Sequence, residues 1–186
     1  MLTTLLVIVG ATAIGVMVVY NQLIALHNQV QNAWRQIDVQ LKRRHDLIPN
    51  LVETVRGAMQ FERDTLEKVI AARASAVGAV SLQQRAEAEA ALGQTLGRLF
   101  AVMENYPDLK ANANALRLQE ELTTTENQIS FSRQFYNDSV MQWNTRRQIF
   151  PINQVAGFFH FSPAEYFQAA ESERPSPRVD LALGGK

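Results

Sequence analysis

A chain of 186 residues is long enough for one apolar anchor and one domain that buries its own core. Eighteen Lys+Arg balance eighteen Asp+Glu, so the positive field that gathers nucleic-acid phosphates is missing and general nucleic-acid binding is excluded. Cysteine is absent, which excludes disulfides, thiolate metal ligands and cysteine nucleophiles together.

No Asp, Glu, Lys or Arg precedes Arg35, and Leu2 to Val19 is an apolar run broken only by Thr and Gly. At 1.5 Å per residue it covers about 27 Å, close to the hydrocarbon thickness of a bilayer. Residues 1–20 therefore read as a transmembrane anchor, with Tyr20 at interface depth. A cleaved signal peptide fits less well: there is no basic leader, and Ala11-Thr12-Ala13 lies inside the run with Ile14, Val16, Val18 and Val19 still to come. Arg35, Lys42, Arg43 and Arg44 lie C-terminal to the span, so the positive-inside rule places the C-terminal domain in the cytoplasm and the N-terminus outside.

Leu23, Leu26, Val30, Trp34, Ile37 and Leu41 recur at steps of three and four, placing them on one face of a helix that continues out of the bilayer. At His45-Asp46-Leu47-Ile48-Pro49 a new start is signalled, with Asp46 as N-cap and Pro49 in the first turn; the alternative is a kink without a turn. Leu51, Val52, Val55, Met59, Leu66, Val69 and Ile70 mark the next stripe, which fades towards Gly78. Ser81-Leu82-Gln83-Gln84 has the form of a capping box and opens a third helix. Asn105-Tyr106-Pro107-Asp108 stops it, and Pro107 opens a fourth helix, about 60 Å long, with no Pro or Gly from Asp108 to Phe150. Pro151 ends that helix, and Ser162-Pro163-Ala164-Glu165 reads as the start of one short helix.

The fold class is therefore all-α: an N-terminal transmembrane helix leading into an antiparallel up-and-down bundle over residues 21–170. The bundle has four long helices, or three with a kink at Pro49, and a flexible tail covers 171–186. In that topology the fourth helix returns towards the membrane.

Few residues point to chemistry. His27, His45 and His160 are scattered without metal-ligand spacing, and their expected roles are solvated or capping. No Gly-x-Ser-x-Gly, P-loop, Gly-x-Gly-x-x-Gly or His-Glu-x-x-His occurs, so no enzyme, cofactor or small-molecule substrate is expected. Lys42-Arg43-Arg44 reads as a solvated helix end, far from the bilayer along a straight helix. Arg146 and Arg147 are the better candidates for lipid contact. Phe158, Phe159 and Phe161, within the aromatic crowd from Phe150 to Phe167, either plug the end of the bundle or dip into the interface with Tyr20. Asn28, Asn32, Asn127 and Asn137 read as setters of register or oligomer state. Ala11-x-x-x-Gly15 would let two membrane helices approach closely.

The chain resembles the LemA family through Tyr20-Asn21, Asn32-Ala33-Trp34 and, above all, the unbroken stretch from Ile37-Asp38-Val39-Gln40 through His45-Asp46-Leu47-Ile48-Pro49 to Val52. Tyr106-Pro107-Asp108-Leu109, Leu118-Gln119-Glu120-Glu121, Glu126-Asn127-Gln128-Ile129 and the Phe150-Pro151 to Phe161 segment extend it. The resemblance implies a membrane helix, a short outside N-terminus and a cytoplasmic helical bundle. It supplies no catalytic residues, and relatives associated with magnetosome membranes suggest membrane organisation. The expected function is a single-pass scaffold or adaptor of a bacterial inner membrane, self-associating or recruiting other membrane proteins. The alternatives are a lipid-binding or membrane-shaping protein using the aromatic segment and, further off, an unrecognised hydrolase.

Overall fold

A computed structural model describes residues 1–167 of the protein; the expected tail, 171–186, lies outside the described residues. The described residues form helices and connections only. In chain order these are α1 (Leu2–Arg56), α2 (Arg63–Gly78), α3 (Leu82–Met103), α4 (Pro107–Lys110), α5 (Ala113–Gln148) and α6 (Ile152–Phe158).

α1 is the spine. Its 55 residues reach about 80 Å; the first third stands clear of the rest, with Leu5, Leu6, Val7 and Ile8 exposed. Beyond Leu23 it packs antiparallel against α5, which runs back down its length. The α2–α3 hairpin covers the upper half of one side of this pair, and α6 with the segment 161–167 covers the lower half. Two apolar clusters result. The upper one gathers Leu51, Val55, Met59, Val69, Leu92 and Leu99; the lower one gathers Leu23, Ile37, Ile129, Val140, Trp143 and Phe167. The stripes expected from periodicity supply most of both.

Pro49 does not begin a helix. α1 runs through it to Arg56, and the turn to α2 falls at 57–62 instead. A proline inside a helix removes the N–H that would bond to the carbonyl four residues back, here that of His45. Arg73 of α2 makes good the loss: its Nε donates to the His45 carbonyl at 2.7 Å. Asp46 is accordingly no N-cap; its carboxylate lies 2.6 Å from Lys42 Nζ, one turn back along the same helix. That bond, against a smaller opposing effect of burial, holds the Asp46 carboxyl below its ordinary range.

Ser81 caps α3 as expected, accepting from the Gln84 N–H while the Gln84 side chain accepts from the Ser81 N–H. The long return helix begins later than expected. Pro107 opens only the single turn α4, and Asn112 then caps α5, its Oδ1 accepting from the N–H groups of Asn114 and Ala115. Pro151 lies just past the end of α5 and forms the N-cap of α6. Ser162-Pro163 starts no helix, because the backbone of 161–167 is taken up by side chains of α5. Asn144 donates to the Ala164 carbonyl and accepts from its N–H at 2.9 and 3.0 Å. Two turns earlier Asn137 grips Phe167 in the same way at 3.0 and 2.8 Å.

The Pro49–Arg73 relation makes a prediction. Arg73→Met, which strands the His45 carbonyl, should cost about 1–3 kcal/mol in urea denaturation. In a Pro49→Ala background, where the backbone donor returns, the same change should cost distinctly less. Equal costs in both backgrounds would show that Arg73 acts by another route.

Candidate membrane-interface site

The residues expected at the interface converge where α1 leaves the apolar stretch. Tyr20, on the last turn before Asn21, meets the rings of Phe159 and Phe161 at a tilt, with centroids 4.7 and 5.8 Å away. Phe158 meets Phe159 edge-on at 5.1 Å and is itself 77% exposed. Phe161 also stands edge-on to the buried Trp143 at 5.5 Å, so the ring cluster is continuous with the lower core. Phe158 and Phe159 point outward, while Phe161 faces inward: the segment is both plug and exposed collar.

α5 delivers its two arginines to the same level. Arg146 donates to Gln22 Oε1 at 3.0 Å, two residues past Tyr20, and Arg147 donates to the Phe161 carbonyl at 3.3 Å. α6 ends in a turn at His160, whose φ of 57° is the left-handed conformation usually left to glycine. The Phe161 N–H closes that turn on the Ala156 carbonyl at 3.0 Å, which folds the aromatic segment back beneath α5.

Higher in the bundle lies a second constellation that sequence reasoning missed. Arg44, expected at a solvated helix end, is 2% exposed. Its Nη1 lies 3.3 Å from Glu89 Oε2 of α3 and 2.9 Å from Glu126 Oε2 of α5. The other oxygen of the buried Glu89 is 2.7 Å from His45 Nε2. The same His45 offers its carbonyl to Arg73, so four helices meet around one guanidinium. Gly93 leaves it room: a Cβ there would stand 3.1 Å from Arg44 Nη2. The one available signal was phase, since Arg44 lies seven residues after Ile37 on the inward stripe.

Arg44, Glu89 and Glu126 also line an open groove between α3 and α5, together with Gly93, Gly97 and Phe100. Among the described residues no three His, Asp or Glu gather in a way that would hold a metal ion. His27 lies against Trp143 at 5.3 Å and bonds to Gln31, and Asn137 serves the clamp on Phe167.

Fold and site together define an all-α protein with one N-terminal apolar helix as candidate membrane anchor, continuous with an antiparallel bundle whose aromatic end lies beside that helix. The chain belongs to the LemA family, whose model matches residues 33–181. It is 29% identical to Protein LemA of Metamycoplasma hominis, over 83% of this chain and 71% of that protein. It is 25% identical to Magnetosome protein MamQ 2 of Paramagnetospirillum magneticum and 22% to Magnetosome protein MamQ of Magnetospirillum gryphiswaldense, over 80% of this chain in each case. The chain spans 64% of the length of those two magnetosome relatives. None of these names denotes a reaction.

Arg44→Met leaves the buried Glu89 with His45 as its partner and should destabilise the bundle by about 3–5 kcal/mol in chemical denaturation; a loss below about 1 kcal/mol would mean that His45 or water meets the Glu89 charge. The buried Tyr136 hydroxyl donates to the Glu165 carbonyl at 2.8 Å, and burial first, then the Glu165 charge, raises its pKa. A raised folded value gives stability that is fully present below the ordinary tyrosine value of about 10 and is lost as pH rises through the folded one. The stability advantage over Tyr136→Phe should therefore shrink in alkaline titration; a constant difference would contradict it.

Proposed function

We propose that this protein is a single-pass scaffold of a bacterial inner membrane, holding a helical bundle on the cytoplasmic surface and assembling proteins there. The observation that carries the reading is the continuity of α1: the exposed apolar stretch and the inward stripe from Leu23 onward belong to one uninterrupted helix. A bundle built on such a helix is held at a fixed height and rotation above the bilayer.

The Tyr20, Phe158, Phe159 and Phe161 rings, flanked by Arg146 and Arg147, suit the headgroup boundary, where aromatic rings and basic side chains are favoured. The basic residues beyond the span favour a cytoplasmic bundle. Two relatives carry magnetosome in their names, which favours membrane organisation over catalysis for this chain too. The polar layer around Arg44 pairs its carboxylates with Arg44 and His45, an arrangement that fits the joining of helices better than hydrolysis.

A second reading, lipid binding by the aromatic end itself, is favoured by the exposure of Phe158 and of nearby Phe150. One set of measurements separates the two. The full-length chain should stay with membranes through carbonate extraction, and a cysteine probe at Leu2 should react with an impermeant maleimide from outside while one at Gly97 does not. Extraction by carbonate, or the reverse labelling pattern, overturns the anchor or its orientation. A chain starting at Asn21 should remain unbound to phosphatidylglycerol vesicles in flotation; if it floats with them, the lipid-binding reading replaces the scaffold.

A further inference from the structure

We infer that the outward face of α1 is a seam for a second copy of this chain, lying parallel to the first in the same bilayer. The inference rests on the anchored-scaffold reading and names the partner that the scaffold holds.

Because α1 is one helix, any face of it keeps its register from the anchor into the bundle. The inward stripe, through Leu23, Val30, Ile37 and Arg44, is occupied by α5 and α3. A second stripe, also alternating in steps of four and three, begins in the apolar stretch with Ala11, Gly15 and Val18. It continues without a break of spacing through Gln22, Ala25, Gln29, Asn32, Gln36 and Val39. Steps of four and three keep these residues on one face of the helix, over about 42 Å. Ala25, Asn32, Gln36 and Val39 are exposed; Gln22 is exposed with its Oε1 held by Arg146 of α5 at 3.0 Å, and Gln29 is half-buried at the border with α5, 3.5 Å from Ser139.

The composition of this stripe is not that of a solvated face. It holds no charged residue before Arg43, while Arg35, Asp38 and Lys42 all fall off it. In the membrane, Ala and Gly let two helix backbones approach. Above it, an amide both donates and accepts, so a Gln or Asn meeting its own two-fold mate is satisfied on both sides, and such residues at seam positions specify a two-stranded register. A stripe that complements itself points to a copy of the same chain rather than to an unlike one. Anchoring in one bilayer makes the copies parallel and raises their effective concentration, which an amide-rich seam needs because it buries little apolar area.

The flank agrees. Arg35 makes no ion pair among the described residues. Within one copy Gln29 lies opposite Ser139 and Trp34 against Tyr136, which sets Arg35 level with Phe131 and Phe135. These two rings, 72% and 42% exposed, lie on the outer side of α5. In a parallel pair the flank carrying Arg35 meets the α5 side of the other copy. Its guanidinium then has the faces of Phe131 and Phe135 of the second copy to lie on, a cation–π contact.

The absence of cysteine makes the test direct. Full-length chains bearing Asn32→Cys, Val39→Cys or, as an exposed control off the seam, Gln31→Cys are oxidised in native membrane vesicles with copper phenanthroline. The seam variants should give about ten-fold more disulfide dimer than the control, since only there are the thiols held together. Equal yields at all three positions, no dimer at either seam position, or a cross-link only to a different protein would overturn the inference. Gln29→Glu with Gln36→Glu, which sets like charges across the seam, should sharply reduce the Val39→Cys dimer; an unchanged yield would also overturn it. Carbonate extraction of the same vesicles keeps the two readings apart, because a chain that stays in the membrane but does not cross-link fails this inference alone.

Discussion

The bundle is organised around a buried guanidinium. Removing Arg44 from water costs several kcal/mol unless its charge is matched and its donors are met, and the matching carboxylates come from Glu89 on α3 and Glu126 on α5. Apolar stripes can slide by a turn and still find partners; this arrangement cannot. Axial slippage of α3 against α1 by one turn, about 5.4 Å, would part the buried Arg44 from the buried Glu89, and slippage of α5 would take Glu126 from Arg44. The ionic layer thus contributes specificity of register more than net stability, and it sits between the two apolar clusters, which supply the burial.

The unusual path of α1 depends on the same layer. A proline in mid-helix normally bends or ends it. Here the carbonyl that Pro49 leaves without a donor belongs to His45, whose ring is already held by Glu89, and Arg73 reaches that carbonyl from α2. Lower down, asparagines set the register of α5 against the segment 161–167. They grip the backbone of that segment much as a neighbouring strand would, while Trp143 donates its indole N–H to the Ser162 carbonyl at 3.1 Å. The consequence is that the aromatic segment is carried to the level of Tyr20.

What could be read in the sequence was whatever depends on local pattern. The apolar stretch, the stripes on α1 and α5, the Ser81 box and the return of the last long helix are written in spacing and capping chemistry, and they stand. Pro107 and Ser162-Pro163 misled because each is a local signal overruled by other residues: Asn112 restarts the helix after the first, and Asn137 and Asn144 claim the backbone around the second. At Pro49 the spacing left a new start and a path without a turn both open, and Arg73 supports the path without a turn. Arg44 was hidden for a different reason. Between Lys42 and His45 it looks like part of a basic patch, and only its phase with Ile37 and Leu41 distinguishes it from its exposed neighbour Arg43. The residues expected at the interface could be picked out by type, but their meeting depends on the turn at His160, which no residue preference announces.

A continuous α1 has a mechanical consequence that a hinged anchor would not. If the apolar stretch were joined to the bundle by a flexible linker, the orientation of one would say nothing about the other. Because the helix runs unbroken from Leu2 to Arg56, rotation of the apolar stretch about its axis is rotation of the bundle, and whatever fixes the first aims the second. The ionic layer extends that rigidity upward, since α2, α3 and α5 are all tied to α1 near Arg44 and His45. The turn at 57–62, with Phe61 almost fully exposed at its tip, is therefore presented at a height and direction set at the far end of α1, about 80 Å away. That transmission of height and direction along one helix is the property the fold provides.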